Sequence, residues 1–406
     1  MRYRDVRTSR RKTLKRVVFR GRVFDGIRLH NDAVVSVDPE LRTIDGFGER
    51  GSVELGRDAK VVDCKGMTIL PGLIDAHVHF YSSLGEGISS WATVPDELAV
   101  LRAAKDLRIL LSAGFTAVRE LGSKGAPQLA QALDEGAIDG PRVVTCARAL
   151  SQTGGDDDPP GFPLGVAQRL ASYTHFCDGP WECRRAVRMV AREGAGVVKF
   201  YASGAFSRGG EVKRNYTFEE IEAIVDEAHA LGMKVAAHAY GEEALLSVIK
   251  AGVDSIEHGL GLTQRTAKAA AEKGIYYVPT LVTYVNRSYR ERAKQAMVRK
   301  HLEEDMDLTK EHAVKVVMGS DIVGDSARPH GMNYEEIVAE SRALGNQEAL
   351  VAATSRAAEC LGLKSGRIKK GFDADVIVVK GNPLEDLHSL HPRNVVHVMR
   401  MGAFYR

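Results

Sequence analysis

The chain of 406 residues is long enough for one large domain with a small companion, or for two or three domains of ordinary size. Its 44% hydrophobic and 27% charged residues are typical of a globular protein, and a net charge of +3 gives no general case for binding nucleic acid or an anionic membrane. An aromatic content of 6% argues against a stacking platform for single-stranded nucleic acid.

Residues 1–16 form a basic segment with eight Lys or Arg against one Asp. No apolar stretch of signal-peptide length follows, because "VVF" is interrupted at once by "RGR". We interpret this segment as a solvated tail, with a transit peptide or a tail for an acidic partner as alternatives. The five scattered cysteines favour reduced thiols and a cytoplasmic location, and no run of about 18 apolar residues predicts a membrane span.

Both ends of the chain have β character. Short segments such as "RVVFRGRVFDG" and "AKVVDCKG" alternate with turn residues in residues 17–68, and "GRIKKGFDADVIVVKG" and "VVHVMRMG" repeat the pattern in residues 362–406. Because these ends enclose a long middle region, we predict that they combine into one small, discontinuous β-sandwich domain.

Residues 69–361 alternate between short apolar runs and amphipathic helical stretches, with eight candidate strands from "TILPGLIDAHVHF" to "VKVVMGSD". This alternation implies a parallel sheet, and eight repeats over roughly 250 residues predict a (β/α)8 barrel of the TIM type. Thr217 with Glu220 three positions later predicts a capping box at one helix start. The alternative, a doubly wound open sheet, lacks a glycine fingerprint after its first strand.

Polar residues stand where the predicted strands end. In such a barrel the carboxyl ends of the strands meet at one mouth, where active sites lie. The residues at these ends are His77 and His79 on the first strand, Lys199 on the fourth, His238 on the fifth, His258 on the sixth and Asp321 on the eighth. Singly, each histidine has an alternative as a hydrogen-bonded core residue, the lysine as one that extends to the rim, and the aspartate as an N-cap. The joint pattern favours a metal site.

The residue types fit metal chemistry. Imidazole and carboxylate are ligands for Zn²⁺ and similar ions, and four histidines exceed the three protein ligands of one open catalytic zinc. Two ions therefore become the expectation, and they need a bridging ligand. A lysine carbamylated by CO₂ is an anionic, carboxylate-like group that is able to span two ions, and nearby cations disfavour its ammonium form.

The ordered motifs "PGLIDAHVH", "VVKF", "AAHAYG", "SIEHG" and "GSD", together with the tail "GRIKKGFDADVIVVKGNPLED", resemble the amidohydrolase superfamily from about residue 17 onwards. Within it the chain is most similar to the imidazolonepropionase-related group, which includes metal-dependent Xaa-Pro dipeptidases, other dipeptidases and carboxypeptidases. The resemblance implies that His77, His79 and Asp321 hold one divalent ion, that His238 and His258 hold the other, and that N6-carboxylated Lys199 bridges them.

With Zn²⁺ as the expected metal, the resemblance also implies the mechanism. A hydroxide between the ions is the nucleophile, because metal binding lowers the pKa of water, and one ion polarises the scissile carbonyl. Asp321 accepts the proton of the hydroxide and passes it to the departing amine.

Three further residues are candidates for binding substrate, and two of them, Tyr240 and Arg119, have a structural alternative. Tyr240 lies just beyond the fifth strand and could instead pack at the rim. His330 occupies a Pro-His-Gly segment similar to one in the group. Arg119 ends the second strand and could instead pair with Glu120 or another acid.

Two departures from the group concern the substrate. "SQTGGDDDPPG" has Asp156 where a glycine pair is often followed by histidine, and Glu120 stands where aspartate is more usual. The acidic run Asp156–Asp158 either favours a cationic end of the substrate or forms a solvated loop.

The leading hypothesis is a binuclear hydrolase of a small amide, acting on Xaa-Pro or other dipeptides or on N-acyl amino acids. The alternatives are a hydrolase of a cyclic amide, lactone or carbamate with the same metal centre, and an inactive scaffold of the same fold. We expect a small-molecule substrate, no nucleic acid and no membrane partner, and the sequence is compatible with a homo-oligomer.

Overall fold

The computed structural model describes residues 15–53, 58–85, 88–158, 161–204, 212–285 and 292–406. Most of the basic segment, residues 1–14, lies outside the described residues. None of the described helices combines the length and the apolar character that crossing a bilayer requires.

The described strands follow in chain order. They are β1 (Val17–Phe24), β2 (Leu29–Asp38), β3 (Thr43–Glu49), β4 (Lys60–Pro71), β5 (Leu73–Val78), β6 (Phe115–Glu120), β7 (Arg142–Thr145), β8 (Ala149–Ser151), β9 (Thr174–Phe176), β10 (Val197–Tyr201), β11 (Lys234–Ala239), β12 (Ser255–His258), β13 (Tyr276–Val278), β14 (Lys315–Val316), β15 (Val376–Lys380), β16 (Val395–Arg400) and β17 (Ala403–Phe404).

The described helices are α1 (Ile88–Thr93), α2 (Asp96–Ser112), α3 (Ala126–Asp134), α4 (Leu164–Leu170), α5 (Pro180–Arg192), α6 (Phe218–Ala230), α7 (Glu242–Ala251), α8 (Gln264–Glu272), α9 (Arg292–Lys300), α10 (Met306–Glu311), α11 (Tyr334–Leu344), α12 (Asn346–Ala352) and α13 (Ser355–Leu361). Short 3-10 turns lie at Leu281–Thr283, Leu387–Leu390 and Pro392–Asn394, and a π-helical turn lies at His301–Asp305.

Strands from both ends of the chain form one seven-stranded sheet, in the order β17-β16-β15-β4-β1-β2-β3. Strand β4 is its junction, because it pairs with β1 in parallel and with β15 antiparallel. The predicted union of the two ends is thus visible in the strand order, whereas their arrangement as a sandwich domain stays a prediction.

The middle of the chain forms parallel sheets, as the alternation of strands and helices predicts. One sheet has the order β14-β13-β12-β11-β10-β8-β9 and the other the order β5-β6-β7. The strands β5, β6 and β10 are buried at every position, which is typical of parallel strands covered on both faces. Strands β8 and β9 were not predicted as separate elements. The α/β class with a parallel sheet is confirmed.

Local signals in the sequence match the observed helix ends. The hydroxyl of Thr217 accepts from the backbone N–H of Glu220, whose side chain accepts from the Thr217 N–H, so the capping box that starts α6 is confirmed. Gly232 and Gly274 have φ of +73° and +67° just after α6 and α8, a left-handed conformation that glycine adopts without steric cost.

Candidate metal centre

Two imidazoles at the end of β5 lie close to one carboxylate. His77 and His79 lie two positions apart in extended chain, so both point to the same side. Their Nε2 atoms lie 3.5 and 3.3 Å from Oδ1 of Asp321. One ligand atom from each of these three residues lies within 4.8 Å of the others, a group that could hold a metal ion.

Two more histidines, His238 on β11 and His258 on the adjacent strand β12, face this group. The ring of His258 lies 5.0 Å from that of His77 and 4.7 Å from that of His238. Nδ1 of His258 is 2.7 Å from the Thr280 hydroxyl oxygen, which leaves its other ring nitrogen for a ligand.

Lys199 completes the predicted set. It lies on β10 beside β11, where Tyr201 of β10 pairs with His238. Its side chain is buried, and its Nζ lies 5.0 Å from the centre of the Tyr201 ring. All six predicted side chains line one cavity of about 310 Å³.

The surroundings of His77 and His238 favour the neutral form of each imidazole. Burial and the charge of Lys199 lower the pKa of His77 to about 4 and that of His238 well below its usual range. Burial alone would raise the pKa of Asp321, but the hydrogen bond with His79 and the other neighbouring imidazoles bring it well below its ordinary value. Neutral imidazole and ionised carboxylate are the forms that bind metal ions.

Two buried ring nitrogens without a hydrogen-bond partner among the described residues bear on whether this site fits a metal. Nε2 of His77 and Nε2 of His238 are buried without a hydrogen-bond partner in the part of the chain that the structure describes. A buried polar atom without a partner is costly, whereas divalent cations bound in this cavity would satisfy both nitrogens. The donor set of imidazole and carboxylate suits Zn²⁺ and related ions. The residues therefore fit the expected metals.

A buried carboxylate orients His77 from behind. Oε2 of Glu257 lies 2.8 Å from Nδ1 of His77, and Oε1 accepts from Arg119 at 2.6 Å and from Ser255 at 2.5 Å. Carboxylates in this position fix the orientation of metal-binding histidines. Sequence reasoning missed Glu257, although it directly precedes His258 on the same strand.

Arg119 points away from the cavity. Besides its ion pair with Glu257, its Nε donates to the carbonyl oxygen of Ala76 at 2.6 Å and its Nη1 to Ser255 at 2.9 Å. With every guanidinium nitrogen engaged in the interior, the arrangement favours the ion-pair alternative over substrate binding, with Glu257 rather than Glu120 as the acid.

Glu120 has a separate role in the support of His79. One of its oxygens accepts from the Gly122 N–H and from the Ser123 hydroxyl, both at 2.6 Å. The carbonyl oxygen of Gly122 lies 2.8 Å from Nδ1 of His79. The glutamate thus shapes the loop that orients this imidazole.

The backbone is strained at two of the predicted ligands. His258 and Asp321 have φ of +66° and +53°, a region that costs non-glycine residues free energy and that is concentrated at functional sites. Asp75 stabilises the backbone next to Asp321, because its carboxylate accepts hydrogen bonds from the Ser320 backbone N–H at 3.0 Å and from the Asn333 amide at 2.8 Å.

The two other predicted substrate residues have different surroundings. Tyr240 lines the cavity, with its ring 4.4 Å from that of His238 and its hydroxyl 2.7 Å from the Tyr284 hydroxyl. His330 is buried behind the centre, where its Nε2 lies 2.9 Å from the carbonyl oxygen of His79. The structure therefore brings Tyr240 to the cavity and places His330 as a support of the β5 end.

Several cavity residues were not singled out in the sequence. Beyond the predicted ligands, Tyr240 and the acidic run, the lining comprises Tyr81, Trp91, Tyr201, Thr283, Tyr284, Val323 and Arg328. Most belong to loops after strand ends, for which no periodic pattern exists.

Comparisons with known proteins agree with this geometry. The model of the amidohydrolase family matches residues 68–404. Ochratoxinase from Aspergillus niger is 31% identical over 377 residues, covering 83% of this chain and 75% of ochratoxinase, and its crystal structure matches with a TM-score of 0.88 and 27% identity over 97% of this chain and 96% of that one.

Two solved peptidase structures are also similar. A prolidase complexed with N-methylphosphonate-L-proline matches with a TM-score of 0.87 and 34% identity, covering 97% of this chain and all (100%) of that one. A Xaa-Pro dipeptidase with bound methionine matches with a TM-score of 0.85 and 29% identity, over the same shares of the two chains.

Proposed function

The chain belongs to the amidohydrolase family and is a hydrolase of amide carbon–nitrogen bonds, and from this premise we propose that it is a binuclear metal-dependent dipeptidase. Its substrates are Xaa-Pro or other dipeptides, with N-acyl amino acids as a related class. The observation that carries the proposal is the convergence of four imidazoles, Lys199 and Asp321 on one buried cavity.

The proposal includes the architecture around this cavity. The middle of the chain, residues 69–361, is a (β/α)8 barrel, and residues 17–68 with 362–406 form a separate small β domain. Backbone hydrogen bonds between the two parallel sheets support closure, because the Ala76 N–H donates to Met318 and the Gly196 N–H to Thr145, each at 2.9 Å.

In the proposed centre His77, His79 and Asp321 hold one ion, and His238 and His258 hold the other. When bound, the ions would supply Lewis acidity for the scissile carbonyl and would lower the pKa of bound water. Once its neutral amine had added CO₂ and released a proton, Lys199 would be an anionic ligand able to serve both ions. Its buried position in the cavity, beside the other predicted ligands, supports this.

Asp321 is the proposed proton carrier. Its pKa lies below the ordinary value, so the carboxylate is ionised, and an ionised carboxylate is able to act as the acceptor for the proton of the attacking water. The Thr283 hydroxyl lies 3.2 Å from Oδ2, and Oδ1 faces the two β5 histidines. Asp321 then returns the proton to the departing amine, so that the amide C–N bond breaks and a neutral amine leaves.

The test combines metal analysis of the purified full chain with a panel of dipeptides, N-acyl amino acids, cyclic amides, lactones and carbamates. We expect about two divalent ions per chain, release of free amino acids from dipeptides, and loss of this activity after chelation. Asp321→Asn should lower kcat by at least about 100-fold, whereas His229→Asn, which changes a surface pair with Asp254, should have no effect.

Other outcomes identify the alternatives. Turnover of cyclic amides, lactones or carbamates without any dipeptide would replace the dipeptidase by a different hydrolase with the same centre. Fewer than one ion per chain, with no hydrolysis after adding Zn²⁺ or Mn²⁺, would indicate an inactive scaffold.

A further inference from the structure

Charged side chains of opposite sign line the cavity beyond the predicted metal ligands. Arg328 belongs to the loop that follows Asp321, and Asp156 and Asp157 belong to the loop that follows β8. The metal chemistry uses none of these three residues. Their placement around a substrate cavity bears on which substrates it accepts.

The guanidinium of Arg328 lies at the edge of the proposed centre. Its Nη1 is 3.3 Å from the carbonyl oxygen of Asp321 and 3.4 Å from the Thr283 hydroxyl oxygen. Its Nη2 lies 4.0 Å from Asp325, and its buried Nε has no hydrogen-bond partner within the described ranges. Donor capacity therefore remains for a planar anion, and a carboxylate matches the guanidinium fork.

The two aspartates form an acidic wall, by which we mean Asp156 and Asp157 together. Oδ2 of Asp157 accepts from the Thr174 hydroxyl at 2.5 Å. Burial and the charge of Asp156 raise the pKa of Asp157 to about 6. A cation bound nearby would lower that pKa again, because it stabilises the ionised carboxylate. The ionised carboxylate would in turn attract the cation.

An aromatic surface adjoins the acidic wall in the same cavity. The ring of Tyr81 stacks on Trp91 at 4.5 Å and on His79 at 5.2 Å. Aromatic faces attract cations as well as apolar side chains. This surface suits the side chain and the ammonium-bearing carbon of an amino acid.

Resting on the proposed function, we infer that the cavity selects dipeptides with both ends free. Arg328 binds the carboxylate of the leaving amino acid, and the acidic wall binds the ammonium of the N-terminal residue. A dipeptide is at most about 7 Å long, and a cavity of about 310 Å³ has room for a molecule of that length. Water adds its hydroxyl to the acyl carbon and its proton to the departing amine, so no other reactant is needed.

The test compares three forms of the best dipeptide in the panel: the free peptide, its N-acetyl derivative and its C-terminal amide. With the wild-type metal-loaded enzyme, we expect either blocking group to lower kcat/KM by at least about 30-fold. This comparison needs no variant and is therefore independent of whether any variant folds.

Variants test which residue binds each end of the dipeptide. Arg328→Gln should raise KM for the free peptide by at least about 10-fold and so narrow its preference over the amide, while Arg328→Lys should restore part of that preference. Asp156→Asn and Asp157→Asn, made singly, should remove the preference over the N-acetyl peptide. The control Arg188→Gln, at an exposed pair with Glu227, should behave as wild type.

Two failures are distinguishable. If blocked and free peptides are cleaved equally well, or if every variant loses activity on all three forms in parallel, the inference is wrong and the proposed dipeptidase stands. If no peptide form is cleaved while metal is bound, the proposed function fails together with the inference.

Discussion

At the scale of single residues, buried partners behind the predicted ligands set the charge and the orientation of the imidazoles. Burial would raise the pKa of Glu257, but the charge of Arg119 and the bond with His77 lower it to about 2. The carboxylate therefore stays ionised at neutral pH, where it fixes the tautomer and direction of the His77 ring. It also neutralises a guanidinium that is 3% exposed.

Glu257→Gln should therefore weaken both metal binding and folding. We expect metal affinity to fall by about 10- to 100-fold, and the free energy of unfolding of the metal-free protein to fall by about 3–5 kcal/mol, because Arg119 loses its buried counter-charge. Metal titration and urea unfolding measure the two effects. Glu193→Gln, at a half-exposed group with His175 and Arg148, is the control. Unchanged metal affinity in Glu257→Gln would contradict the orienting role.

At the scale of elements, helix α11 is hydrogen-bonded to the 3-10 turn Leu281–Thr283, which forms part of the cavity wall. The carboxylate of Glu336 accepts from the backbone N–H groups of Leu281 and Val282 at 2.7 and 2.8 Å. The residues of this turn reach the centre, because Thr280 contacts His258 and Tyr284 contacts Tyr240. The helix thereby positions the wall that faces two of the predicted ligands.

One helical turn later, Glu340 is buried, and both its carboxyl oxygens lack a hydrogen-bond partner in the described structure. Burial and the neighbouring Glu336 raise its pKa well above the ordinary value, against the charge of Arg356, and Asp75 adds to the increase. Burial likewise raises the pKa of Glu336 to about 8. The folded protein thus holds protons here that the unfolded chain releases near pH 4.5.

This pair makes stability depend on pH in a stated direction. Because the folded pKa is the higher one, the contribution to stability is fully present below about pH 4.5 and is lost as the pH rises through about 8. Glu340→Gln should flatten this decline in urea unfolding between pH 5 and pH 8.5. Glu335→Gln, on the exposed face of the same helix, should preserve it. An equal slope in both variants would refute the assignment.

At the scale of the whole molecule, the sheet built from both chain ends shares its core with the parallel sheets. Ile377 on β15 and Val395 on β16 belong to one buried cluster with Leu73, Leu107 and Leu110. Burial of apolar surface of this extent is the main source of folding free energy. The two ends of the chain therefore stabilise the part that carries the cavity.

Ile377→Ala should lower the free energy of unfolding by about 2–5 kcal/mol, because it leaves a cavity in a core where this side chain is fully buried (0% exposed). The value of kcat/KM at 25 °C should stay unchanged, since the substitution does not reach the metal ligands. Urea unfolding and steady-state kinetics check both statements. Val61→Ala, at a position 47% exposed on β4, should cost less than about 1 kcal/mol. A loss of activity without loss of stability would contradict this view.

The sequence by itself determined the features that depend on neighbouring residues. Alternation of apolar runs and helices predicted the parallel sheet class, and Thr217 with Glu220 predicted a helix start. The HxH pair could be placed at a strand end because side chains alternate with a period of two. The other candidate ligands followed from their positions at the ends of predicted strands, and the structure lines one cavity with all of them.

Only the tertiary structure decided which side chains from distant segments meet. The pairing of Arg119 with Glu257 joins residues 138 positions apart, and the clamp of Glu336 on Leu281 spans 55 positions. Arg328 and the acidic wall lie on loops, whose path has no periodic signature. Local patterns specify elements and the faces they present, whereas contacts across the fold depend on packing that no single segment encodes.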